Sequence, residues 1–135
     1  MSTLDDSEKF VNVLTLEVPW VHTYADMEPG KTDRERRENY RQAALGKLLP
    51  IPENPLWWAV RITVEKVGRA LDLDNVPKTI IDAFCAWQIS RDGSPHTQLG
   101  LYPNDNFDYV RVVQVAGGRG PTDCTKIEIF ARVGD

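Results

Sequence analysis

The chain reads as a two-layer α/β (α+β) domain in the order β-α-β-α-β-β, with its helices packed on one mixed sheet. Three observations predict this. Four stretches carry the alternation or β-branched density of strands, and two carry the spacing of helices. Proline- and glycine-rich connections separate them. At 135 residues, 41% hydrophobic and 27% charged, the chain has the size and balance of one globular domain with a real core.

The polar, acidic start, residues 1–10, is expected to be a flexible tail ahead of a single domain over 11–135. Val11 to Val18 is rich in β-branched residues and stops at Pro19, which predicts a strand. Residues 20–31 hold Pro29-Gly30 and read as a loop. Thr32 with Glu35 three residues on makes a capping box for a helix to about Gly46. Pro50, Pro52 and Pro55 exclude regular structure and mark a connection. Trp57 to Val67 alternates through Trp58, Val60, Ile62 and Val64, as a strand with one apolar face does. Val76, Ile80, Ile81 and Phe84 recur at helical spacing, so a second helix is expected over 75–87. Residues 88–106, with Gly93, Pro95, Gly100 and Pro103, read as a long loop. Tyr109–Val115 and Thr125–Arg132 are two further strands joined across Gly117-Gly118-Arg119-Gly120-Pro121, the layout of a mobile hairpin.

Composition narrows the chemistry. Cys85 and Cys124 are far apart and lack metal-ligand spacing, so neither a disulfide framework nor a zinc site is indicated, and a reducing, cytoplasmic setting is expected. His22 and His96 are isolated, and Trp20, Trp57, Trp58 and Trp87 are expected mostly in the core. No apolar run is long enough to span a bilayer. A net charge of −4 argues against a simple nucleic-acid coat protein, although residues 31–47 are locally basic. That stretch is either a solvated helix face with i, i+4 pairs such as Asp33–Arg37 or a surface that meets phosphate through Arg34, Arg37 and Arg41. Arg69 and Arg119 are the other candidate DNA contacts.

The segment Asp72-Leu73-Asp74-Asn75-Val76-Pro77-Lys78 carries the most chemistry, with a second acidic patch at Asn104-Asp105-Asn106-Phe107-Asp108. In extended chain, Asp72 and Asp74 point one way and Leu73 the other. Asn75 can cap the following helix, and Pro77 suits its first turn, where the missing amide has no intrahelical partner anyway. Lys78 is oddly placed, since a cation in a first turn opposes the helix dipole by ~0.3–1 kcal/mol. Paired hard oxygen donors, a nearby ammonium and a later carboxylate are what metal-assisted phosphodiester cleavage needs. The bland alternative for the same residues is a turn followed by an N-cap.

The run Asp72-Leu-Asp-Asn-Val-Pro-Lys78, followed by Ile81-Asp82-Ala83, resembles the D-L-D-N-x-x-K…D-A segment of the RusA family of Holliday junction resolvases. Leu14-Thr15-Leu16 leading to Pro19-Trp20, Tyr40-Arg41, Asp105 before Val110-Arg111-Val112-Val113, and Lys126-Ile-Glu-Ile-Phe130 are similar in order, over roughly residues 11 to 132. The resemblance implies a homodimeric, Mg²⁺-dependent endonuclease, with Mn²⁺ as a substitute, that makes paired symmetric nicks in four-way DNA junctions during recombination and repair. It implies Asp72, Asp74 and Asp105 as metal ligands and Lys78 as the essential lysine, with Asn75 and Asp82 supporting. Asp108 is an alternative third ligand and Asp92 a more distant one. The alternative function is a junction-binding protein of the same fold with weak or no cleavage.

Overall fold

A computed structural model describes residues 4–21, 33–68, 70, 73 and 76–134. Four strands form one mixed sheet: β1 (Phe10–Val18), β2 (Trp57–Lys66), β3 (Val110–Arg119) and β4 (Cys124–Arg132). Their spatial order is β1-β4-β2-β3, with β4 antiparallel to both neighbours and β2 parallel to β3. Three helices accompany them: α1 (Asp33–Ala44), α2 (Pro77–Ala83) and α3 (Ala86–Asp92). The molecule is therefore an α+β fold, with apolar residues of all three helices packed on the sheet.

Alternation decides which strand residues meet the helices. Leu14, Leu16 and Val18, Val60, Ile62 and Val64, and Ile127, Ile129 and Ala131 form the core with Tyr40, Ala44, Ile80, Phe84 and Ile89. The opposite face is mostly polar, and Arg61 grips Glu128 through two 2.9 Å hydrogen bonds. At one end of that face Leu4, Phe10, Ala59 and Phe130 make a second apolar cluster. Within the stretch expected to fray, Leu4 is 4% exposed and packs in this cluster, while Asp5, Ser7 and Glu8 are exposed.

Four expectations are corrected. The second helix does not run unbroken over 75–87, and 88–106 is not all loop. Cys85 is extended (φ −91°, ψ 124°) and makes a parallel bridge with Tyr102, which splits the helical stretch into α2 and α3. Helix α3 ends at Gly93, whose left-handed φ of 69° closes the last turn. The glycine-rich segment after β3 is no hairpin turn either. Strand β3 continues through Gly117, Gly118 and Arg119, and β2 lies between β3 and β4. Helix α1 ends at Ala44, two residues early, while its expected cap Thr32 lies outside the described residues.

A candidate active site at the start of helix α2

Helix α2 starts with Pro77 at its first position and Val76 at the cap, with no side-chain cap bond. The cap residue is thus Val76; Asn75, expected in that role, lies outside the described residues, as do Asp72, Asp74 and Arg69. Leu73 is described, in a 3-10 turn, and packs against the core. It lies over bare backbone of β3: a Cβ built on Gly117 would come within 2.8 Å of Leu73 Cδ2. Gly117 belongs to β3 where it runs parallel to β2, so Leu73 sits over the exit end of these two strands. Ligands of parallel sheets collect at such strand ends.

One turn into α2, Lys78 Nζ stands 3.4 Å from the Asp82 carboxylate. This i, i+4 pair offsets the unfavourable placement of a cation in the first turn. Asp82 is 13% exposed at its side chain, and its carboxyl shares a hydrogen bond with that of Asp105. Burial pushes the Asp82 pKa up, Lys78 pulls it down, and Asp105 pushes it up again, leaving it above the usual range. Lys78, Asp82 and Asp105 line one open cleft of about 310 Å³ with Pro77, Ile81 and Val113.

Asp105 reaches this cleft because its loop is tied to the ends of α2 and α3. The Leu101 amide donates to the Phe84 carbonyl and the Ala86 amide to that of Tyr102, both at 2.9 Å. The buried Tyr102 hydroxyl donates to the Ile81 carbonyl at 2.6 Å. Desolvation holds the Tyr102 pKa well above its ordinary value, so the phenol keeps the proton that this bond uses. Asp108 is exposed, its amide bonded to Asn106 Oδ1, and does not line the cleft. Between the two candidates for a late acid, Asp105 is the one that meets Asp82.

A second cleft of about 180 Å³ lies further along β3, lined by Val64, Lys66, Ala70, Leu73, Gly117, Gly118 and Arg119. Arg119 is exposed there, and so is Arg34 on α1. The rest of the basic face expected on α1 is corrected. Arg41 is 0% exposed and bonds the Ala83 carbonyl at 2.7 Å, Asp92 at 3.0 Å and Glu38 at 3.2 Å. Arg37 forms a two-pronged pair with Asp92, both bonds 2.8 Å. These arginines clamp α1 to α2 and α3, and Asp92 with them belongs to the scaffold, away from the cleft.

Among the described residues no three His, Cys, Asp or Glu side chains gather as a metal centre would require. No helix there is long and apolar enough to cross a membrane. No family model matches the chain, and no curated protein matches it either.

Sequence reasoning placed Lys78 and Asp105 in the site and gave Asp82 a supporting part; the structure sets Asp82 between the other two. The four-residue step from Lys78 to Asp82 was the available signal. Phe107, 78% exposed beside Asp105, was missed as a candidate residue because no pattern marks one exposed aromatic.

Proposed function

We propose that this chain is a Mg²⁺-dependent endonuclease that nicks branched DNA, as the resemblance to the RusA family of Holliday junction resolvases implies. One observation carries the reading. Asp105, 23 residues beyond Asp82 in sequence, returns to share a cleft with Asp82 and Lys78, a few residues after Asp72-Leu73-Asp74. Two neighbouring carboxyls beside a single lysine gather oxygen donors in one cleft, where a cation could take the place of the proton they share. Hard-oxygen donors in such a setting fit a divalent cation.

Asp72, Asp74 and Asp105 would hold Mg²⁺, or Mn²⁺ in its place, with Asp82 steadying Asp105. The bound ion supplies Lewis acidity at a phosphate oxygen and a more acidic water. Lys78 carries a fixed positive charge at the mouth of the cleft, suited to stabilise negative charge that builds on the phosphate. Leu73, between the two aspartates in sequence, packs over the bare backbone of Gly117. A homodimer with two such sites would match the two-fold symmetry of a four-way junction and give paired nicks. The work of such an enzyme would be recombination and repair in the cytoplasm.

A nicking assay tests the reading on an immobile four-way junction and a linear duplex with Mg²⁺. Wild type is expected to cut the junction symmetrically, and Asp74→Asn and Asp105→Asn to lose at least about a hundredfold in rate, the scale on which electrostatic stabilisers act. Junction binding without cutting by wild type would favour the non-cleaving alternative. Neither binding nor cutting would refute both.

A further inference from the structure

We infer that Phe107 is a base-stacking residue that reads the unpaired or distorted bases of branched DNA beside the Lys78–Asp82–Asp105 cleft; the inference rests on the nuclease reading above. Phe107 is 78% exposed, the most exposed large hydrophobic side chain among the described residues. It stands on a built turn. Asn106 accepts the Asp108 amide through its side chain (3.0 Å) and the Tyr109 and Val110 amides through its carbonyl (3.0 and 2.9 Å). Arg111, the extra residue at a bulge in β3, donates to the Phe107 carbonyl at 3.1 Å and lies over the Trp57 ring. The ring is thus displayed in water on a turn held from both sides.

The neighbourhood decides what would cover it. Phe107 is two residues from Asp105, so whatever fills the cleft brings its next groups to this ring. A phosphodiester strand brings bases. Tyr109, 37% exposed, adds a second aromatic face and Lys78 in the cleft a cation, the mixture that suits stacked bases and their phosphates. A closed duplex offers no free base face, whereas a branch point does. Phe107 therefore contributes to the choice of branched over linear DNA.

The test uses the full chain, Ca²⁺ in place of Mg²⁺ to keep strands uncut, and a four-way junction with 2-aminopurine at the branch bases. Wild type is expected to change the 2-aminopurine emission. Phe107→Ala should abolish that change and weaken junction binding about tenfold, within the range for one base–aromatic stack. The loss should fall on the junction and not on a linear duplex, and Phe107→Trp should recover the emission change. Because the ring is exposed, the Ala variant should melt like wild type. Unchanged junction affinity and emission in Phe107→Ala, with wild-type nicking intact, would overturn this inference and leave the nuclease reading standing. Failure of wild type to bind or nick any DNA would remove the nuclease reading and this inference with it. Conversion of a wild-type dimer to monomer in Phe107→Ala, seen by sedimentation, would assign the ring to a second copy of the chain and overturn the inference.

Discussion

Asp92 shows how a single carboxylate can decide whether the helical layer stays docked. It accepts from Arg37 and Gln88 and faces the fully buried Arg41. Burial opposes its ionisation, but hydrogen bonds from Arg37, Gln88 and Arg41 outweigh that and hold its pKa at about 2. Removing one member of such a buried pair strands the other charge, so Asp92→Asn should cost about 3 kcal/mol in urea unfolding at neutral pH. The sign with pH follows from a folded pKa below the ordinary 3.8. The unfolded chain takes up the proton first as pH falls, so this stabilisation is complete above about pH 4–5 and disappears as pH drops through about 2. The gap is worth about 2 kcal/mol for a side chain this buried. Urea midpoints from pH 7 to 2 should show that acid loss in wild type and not in Asp92→Asn; parallel curves would reject it.

At the scale of elements, β3 carries Leu73 over a bare glycine. A Cβ at Gly117 would sit 2.5 Å from Val64 Cγ2 and 2.8 Å from Leu73 Cδ2, whereas at Gly118 it meets nothing within 4 Å. Gly117→Ala should therefore cost ~1–3 kcal/mol and displace Leu73, taking nicking with it. Gly118→Ala should be neutral or slightly stabilising, since glycine weakens a strand. Thermal melts and the nicking assay on both variants decide; equal behaviour would dismiss the anchor. The same strand shows what the sequence could reveal. Val60, Ile62 and Val64 announce β2 because alternation is local, and so do Ile127 and Ile129 for β4. Nothing local says that β2 passes between β3 and β4, because strand order depends on distant partners. The split of α2 from α3 stayed hidden because no glycine or proline stands between Lys78 and Asp92 to mark it. Yet Arg91 in the last turn and Gly93 beyond it formed a legible helix stop. Within the site, Lys78 and Asp105 were legible by type and spacing. The approach of Asp105 to Asp82 was not, since it depends on Tyr102 and Cys85 bridging chain segments far apart in sequence.

For the whole molecule, the proposed function raises the question of how a chain of net charge −4 would hold a polyanion. Long-range attraction does not favour it, and the inward turn of Arg41 and the Arg37–Asp92 pair remove cations that the sequence seemed to offer. Beside the two clefts, Lys78 and Arg119 are exposed, so about two phosphates would be neutralised. With a slope of about −0.9 per phosphate, raising salt from 50 to 200 mM should then weaken binding by only about 12-fold. A protein that bound mainly through a basic surface with six to ten contacts would lose ~10³–10⁵ over that interval. Under the proposed function the remaining affinity would come from metal ions between carboxylates and phosphate and from stacking at Phe107. Chelating the divalent ion should consequently weaken junction binding more than the fourfold rise in salt does, and Asp105→Asn should mimic chelation. Fluorescence anisotropy across a salt series, with and without EDTA, gives both numbers. A steep salt slope that EDTA leaves unchanged would mean that a basic surface does the binding, and the carboxylate cleft would lose its role in holding DNA.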